Sequence, residues 1–331
     1  MRLRWMAFGL ALLAAPAVAA PAPVSDMFRG KTITYIVSTT AGGGYDTYGR
    51  MIARHLPKYL TGARVIVKNV PGAGNIIGAN QIYTARPDGL TIGMFNTGLI
   101  YDQIIGRHGN MFDLAKFSWI GKAATEARAV VIAKTSQYKS FDDVLKSPRP
   151  VKFATSGIGT ASYYDTRILT DALKLNVQVI NNFSGNSAEM SMMRGEIEAQ
   201  VGTVESLEQF VKNGNGIWGL GVTGNAETLP GVPKAAQYAK DARGRNLLAL
   251  LQAMSELGRL TAGPPGLPPA ILTTLRQGLM AVMRDPEFLA EAKRLNLSID
   301  PLSGEIVDAK IKAALSPAPE TVAALKAVSG G

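Results

Sequence analysis

The sequence predicts an α/β protein organised as two domains. Apolar strands alternate with segments of helical period, the pattern of largely parallel sheets covered by helices. The first strand, Thr32-Ile33-Thr34-Tyr35-Ile36-Val37, runs into a glycine-rich elbow and a helix at Ala41-Gly42-Gly43-Gly44-Tyr45-Asp46, and Pro71-Gly72-Ala73-Gly74-Asn75 repeats the arrangement. With 331 residues, 47% of them hydrophobic, the chain has material for two cores rather than one.

The chain opens with a leader. Arg2 and Arg4 form a short positive region, Trp5 to Ala15 an apolar run, and Ala17-Val18-Ala19 a small-x-small cleavage site. That run is shorter than the roughly 20 residues a bilayer span needs. Cleavage is expected after Ala19, giving a soluble, exported protein without a lipobox cysteine.

After the elbow comes a helix whose apolar face is Tyr48, Met51, Ile52, His55, Leu56 and Tyr59, with Pro57 expected to end or kink it. His55 on that stripe reads as a packed core residue. Strands follow at Val65-Ile66-Val67 and at Leu90 to Phe95. A middle region opens with the apolar strand Ala129 to Ala133 and continues through Val151 to Thr155 and Val177 to Ile180. After Gly263-Pro264-Pro265-Gly266-Leu267-Pro268-Pro269 two helices are expected, the first turning Leu272, Leu275, Leu279, Val282 and Met283 inward.

Composition excludes several chemistries. Without cysteine there is no disulfide, thiolate metal site or Cys nucleophile, and two histidines without zinc-ligand spacing argue against a zinc enzyme. The net charge of +10, about +8 without Arg2 and Arg4, is spread singly among acidic residues, so no nucleic-acid partner is expected. Gly30-Lys31-Thr32 lacks the first glycine of a P-loop, where Ser25 stands. Gly72 to Gly78 has one residue too many for a dinucleotide fingerprint, and Asp88 sits in a Pro-Asp-Gly turn. Ala154 breaks a nucleophile elbow at Ser156. No catalytic residue, metal or cofactor is expected.

What remains is glycine-rich backbone, which lets a ligand approach the main chain and aims helix N-termini at an anion. Here the chain resembles the Bug receptor family, the periplasmic substrate-binding proteins of tripartite tricarboxylate transporters. Seven landmarks carry the likeness: Gly42 to Asp46, Pro71 to Gly74, Pro87-Asp88-Gly89, Ser156-Gly157-Ile158-Gly159-Thr160, Arg194 to Glu198, Leu229 to Pro233 and Gly263 to Pro268. The resemblance implies a two-lobed periplasmic binding protein of type II-like architecture, two α/β domains joined by two crossover strands. Lobe one would comprise residues 20–127 and 257–331, lobe two residues 128–256. Ala129 to Ala133 and Arg259 to Ala262 would be the crossovers.

The same resemblance implies the site. In lobe one it would use Gly42, Gly43, Gly44 and Tyr45, with Asp46 as helix N-cap, then Gly74, Asn75, Asn96 and Thr97. In lobe two it would use Ser156, Gly157, Gly159 and Thr160, then Phe183, Ser184, Gly185 and Asn186, and finally Thr203 and Glu205. Hydroxyls and amides outnumber charges, which predicts a carboxylate held by neutral donors without a buried salt bridge. Structural roles compete at several positions: Asn96 and Thr97 could satisfy a strand end, Thr160 could simply cap its helix, and Tyr164 could be core. Tyr45, Tyr163-Tyr164 and Phe183 depart from the family pattern, and rings near the cleft would suit a ligand with an apolar body. A tricarboxylate is therefore not carried over. The implied protein is a receptor, expected to be monomeric, that binds a small organic acid in the periplasm and delivers it to membrane permease subunits. An exported sensor of the same fold, or an exported enzyme acting on small anions, is the alternative.

Overall fold

The computed structural model describes residues 26–107, 109, 111–224 and 229–329. The expected leader and its cleavage site lie outside them.

The chain begins with β1 (Thr32–Val37), α1 (Gly44–His55), β2 (Arg64–Asn69), α2 (Ile76–Tyr83), β3 (Thr91–Phe95), α3 (Gly98–Ile105) and β4 (Ser118–Lys122). It then forms β5 (Arg128–Ala133), α4 (Phe141–Leu145), β6 (Val151–Ala154), α5 (Ala161–Leu173) and β7 (Val177–Ile180). These are followed by α6 (Ser187–Met193), β8 (Ala199–Thr203), α7 (Val204–Lys212), β9 (Gly216–Gly221) and α8 (Ala242–Ser255). The remainder is β10 (Leu260–Gly263), α9 (Pro269–Val282), α10 (Pro286–Arg294), β11 (Leu302–Ser303), α11 (Gly304–Ala314) and α12 (Pro319–Ser329).

Two sheets result, ordered β11-β4-β10-β3-β1-β2 and β7-β6-β8-β5-β9, and they form the two lobes. β1 pairs in parallel with β2 and β3, and β6 with β7 and β8, as the alternation predicts. The sheets are not parallel throughout. β10 runs antiparallel between β3 and β4, and β5 runs antiparallel between β8 and β9. Each of these strands enters its sheet from the other lobe's side of the chain, so it arrives in the opposite sense.

The first helix buries the stripe its spacing predicts. Tyr48, Met51, Ile52 and Leu56 pack with Tyr35, Val37 and Leu279 on one face of the first sheet. His55 Nε2 donates to the Glu291 carboxylate over 2.8 Å and its ring stands edge-on to Phe288, and a short 3-10 turn at Leu56–Lys58 ends the helix at Pro57. The other face belongs to a core that continues from Ile36, Phe95 and Trp119 through Tyr163 and Ile168 to Leu247 and Leu325, so the lobes share apolar packing. Four helices, not two, run from Pro269 onward among the described residues. The last of them, α12, leaves the first sheet: Tyr163 donates to the Ser329 carbonyl over 3.0 Å, and the Arg167 guanidinium to that of Val328 over 2.6 Å.

Candidate functional site

A cleft of about 990 Å³ lies between the sheets, lined by the loops that follow β1, β2, β3, β6, β7 and β8. Strand-end loops of an open α/β sheet are where a ligand meets helix N-termini without competing side chains.

The elbow after β1 is built around Asp46. Gly42 takes a φ of +86°, which suits glycine, and its N–H donates to Asp46 Oδ2 over 3.0 Å. The same carboxylate accepts from Arg50 over 2.9 Å and from the Asn69 amide over 2.9 Å. Burial alone would raise the Asp46 carboxyl, but Arg50, the Gly42 N–H and Asn69 hold it below the ordinary range. Asp46 is therefore not the N-cap. Gly43 occupies that position, and Asp46 reaches back from the first turn because a short acid there meets the free N–H groups ahead of the helix. A Cβ at Gly43 would meet nothing within 4 Å, so this backbone faces open cleft.

The loop after β2 brings in Asn75, which is 6% exposed and has a left-handed φ of +81°. Its Nδ2 is buried without a hydrogen-bond acceptor. Here the backbones of the two lobes come into close contact. A Cβ at Gly74 would lie 2.8 Å from the Ile158 carbonyl, and one at Gly98 would lie 2.4 Å from that of Gly159. Both glycines permit close approach of backbone to backbone. Asn96 Oδ1 accepts from the N–H of Gly98 over 2.9 Å and from that of Ala161 over 3.0 Å, joining α3 to α5.

From the second sheet, Thr160 caps α5 and donates to the Gly157 carbonyl over 2.7 Å. Thr203 caps α7 and donates to Ser206 over 2.6 Å. Phe183, Ser184, Gly185 and Asn186 line the wall after β7, with Glu189 and Gln200 beside them.

Charge gathers at the floor, against expectation. Arg259 Nη1 meets Glu126 Oε1 at 2.8 Å, Arg128 pairs with Glu126 and lies 3.2 Å from Asp165, and all four are buried. Burial would raise the Glu126 carboxyl, but Arg128 and Arg259 together hold it below the ordinary range. Asp165 has the weaker share of Arg128, and burial pushes it up to about 6. The Arg259 guanidinium lies 4.2 Å over the Tyr45 ring and 4.8 Å over that of Tyr48. A Cβ at Gly44 would stand 2.8 Å from that guanidinium, so the third elbow glycine makes room for it.

Residues 49–308 match the family described as Tripartite tricarboxylate transporter family receptor. The chain belongs to this family. The receptor is 26% identical over 280 residues to a UPF0065 protein encoded in the tcbD-tcbE intergenic region of a Pseudomonas strain, spanning 82% of this chain and 80% of that protein. Its fold matches that of the periplasmic binding protein BugD with a TM-score of 0.72 at 22% identity, covering 91% of this chain and 98% of BugD. It also matches MatC from Rhodopseudomonas palustris with bound malate, with a TM-score of 0.71 at 18% identity, covering 90% of this chain and 98% of MatC.

The receptor's cleft gathers most of the residues expected from sequence: Gly42, Gly43, Gly44, Tyr45, Gly74, Asn75, Asn96, Ser156, Gly157, Thr160, Phe183 to Asn186, Thr203 and Glu205 all line it. Asp46, Thr97 and Gly159 do not. Asp46 supports the elbow, Thr97 is buried before α3, and Gly159 packs toward Arg107. Tyr164 donates to Asp102 and Tyr163 to Ser329, so these rings serve the core between lobes and leave Phe183 and Tyr45 as the cleft aromatics. Arg128, Arg259, Glu189 and Gln200 line the cleft without having been expected there. The two arginines do have a sequence signal, since Arg128 opens the apolar strand β5 and Arg259 immediately precedes β10.

Proposed function

We propose that the protein is a periplasmic solute receptor that holds a small organic acid between its lobes and delivers it to the permease subunits of a tripartite tricarboxylate-type transporter. One observation carries this reading. The cleft presents a buried donor without an acceptor, Asn75 Nδ2, and open elbow backbone at Gly43, each at the start of a helix whose dipole favours an anion. Malate bound to the structural neighbour MatC supports a small carboxylate. The buried arginines contribute positive potential at the floor, although Glu126 and Asp165 already pair with them.

The residues that would hold the acid are those lining the cleft. Gly42 to Tyr45, Gly74, Asn75 and Asn96 come from lobe one, residues 20–127 and 257–331. Ser156, Gly157, Thr160, Phe183 to Asn186, Thr203 and Glu205 come from lobe two, residues 128–256. The reading is of binding without chemical change, by an exported monomer processed after Ala19.

A thermal-shift screen of the purified protein against organic acids tests it. A binding acid at a hundredfold excess over its dissociation constant should stabilise the fold by about 2.7 kcal/mol. Mass spectrometry should recover that acid intact. A screen in which no acid raises the melting temperature would overturn the reading.

A further inference from the structure

Four charged side chains line the cleft among the described residues: Arg128, Arg259, Glu189 and Glu205. The protein itself gives three of them a charged or hydroxyl partner, while leaving Arg259 Nε a buried donor without an acceptor. The guanidiniums pair with Glu126 and Asp165, and Glu205 Oε1 accepts from the Ser298 hydroxyl over 2.8 Å. Glu189, in the first turn of α6, is different, because its Oε2 is buried and accepts no hydrogen bond. The nearby Gln200 amide directs its Nε2 to the Met192 sulfur at 3.5 Å. Burial works to raise the Glu189 carboxyl above the ordinary range, with its own backbone N–H and Gln200 opposing.

The cleft therefore has unmet donors, Asn75 Nδ2 and Arg259 Nε, on the first-sheet side and an unmet acceptor, Glu189 Oε2, on the second-sheet side. Its charge is unbalanced in the same sense. Behind and along the walls, the two guanidiniums answer Glu126 and Asp165, leaving Glu189 and Glu205 as surplus negative charge. A ligand with carboxylates at both ends would place one of them against Glu189, where like charges repel and both resist desolvation.

We propose that the ligand is a carboxylate that also bears a cationic amino group, with its carboxylate at the elbow and Asn75 and its ammonium on Glu189. This rests on the carboxylate reading above and assigns the other end of the ligand. An N⁺–H···O⁻ hydrogen bond in a partly desolvated wall is among the stronger polar contacts, and it keeps Glu189 ionised by replacing lost water with a positive charge.

Titration calorimetry with matched pairs tests it: aspartate against succinate, glutamate against glutarate, and γ-aminobutyrate against butyrate, with malate as an acid that offers a hydroxyl but no positive charge. In the wild-type protein the amino acid of at least one pair should bind about tenfold tighter or more than its plain partner, and tighter than malate. Glu189→Gln keeps the shape and removes the charge, and should bring the pair to within about threefold. Glu189→Ala, with thermal melts of both variants as the folding control, should do the same. Plain acids binding as tightly as or more tightly than their amino partners would overturn the assignment while leaving the carboxylate reading intact. So would a preference unchanged in both variants. If neither a member of any pair nor malate binds, both readings fall.

Discussion

The side-chain oxygen of Asn96 accepts the backbone N–H of Ala161, 65 residues away, at 3.0 Å, while also accepting that of Gly98 at 2.9 Å. One carboxamide thus satisfies the first free N–H of a helix in each lobe, at a place where no side chain separates the two backbones. Asn96→Ala would leave two buried donors without an acceptor. The expected loss is about 2–4 kcal/mol in chemical denaturation. An unchanged midpoint would mean that water replaces the amide at no cost.

Arg259 compensates Glu126, which is 1% exposed, and packs over two tyrosine rings. Arg259→Met should destabilise the protein by about 3–5 kcal/mol because a buried carboxylate loses a partner. Adding Glu126→Gln should return part of that loss. A single variant as stable as wild type would show that Arg128 alone suffices for Glu126.

Gly43 in the elbow and Gly98 at the start of α3 should behave differently. Gly43 has φ −93° and ψ 173°, backbone that any residue adopts, and open space where a Cβ would go. Gly43→Val should fold normally and lose the ligand-induced rise in melting temperature. Gly98→Ala should instead cost about 1–3 kcal/mol, since its Cβ would fall 2.4 Å from the Gly159 carbonyl and force the lobes apart. Melting curves with and without a binding acid separate the two effects.

Asp165 gives a pH dependence of a definite sign. Its carboxyl is raised to about 6 in the folded protein, against about 4 in the unfolded chain, so the folded state binds the proton more tightly between those values. Its contribution is then fully present at acid pH and falls as pH rises through 6, by up to about 3 kcal/mol. Asp165→Asn removes that titration. The stability difference, wild type minus variant, should decrease between pH 4 and pH 7, and a difference flat with pH would contradict the assignment.

Much of this was legible before any coordinates. Period-2 and period-3.6 patterns located β1, α1 and β3, because each element buries one face in a local and regular way. Glycine with positive φ marked the elbow, since few other residues accept that conformation. Less regular elements escaped. β4 and β9 carry tryptophan and glycine in place of a run of branched residues, and the four C-terminal helices read as two because nothing local says where α11 and α12 pack.

By itself the sequence determined the α/β class, the order of its most regular elements and most of the glycine-rich loops that line the cleft, since these follow from backbone propensity and from motifs a few residues long. Only the tertiary structure decided which charges meet. Glu126 and Arg128 lie far in sequence from Asp165 and Arg259, and their pairing depends on the segments leading into β5 and β10 meeting α5. The same holds for Tyr164, whose apolar helix face is visible in sequence, and for Tyr163, which the helical spacing turns away from that face but the structure buries: their partners, Asp102 and Ser329, come from α3 and α12. Long-range pairing has no periodicity in sequence. It is fixed by the burial of whole faces, and polar groups then take the partners that burial leaves within reach.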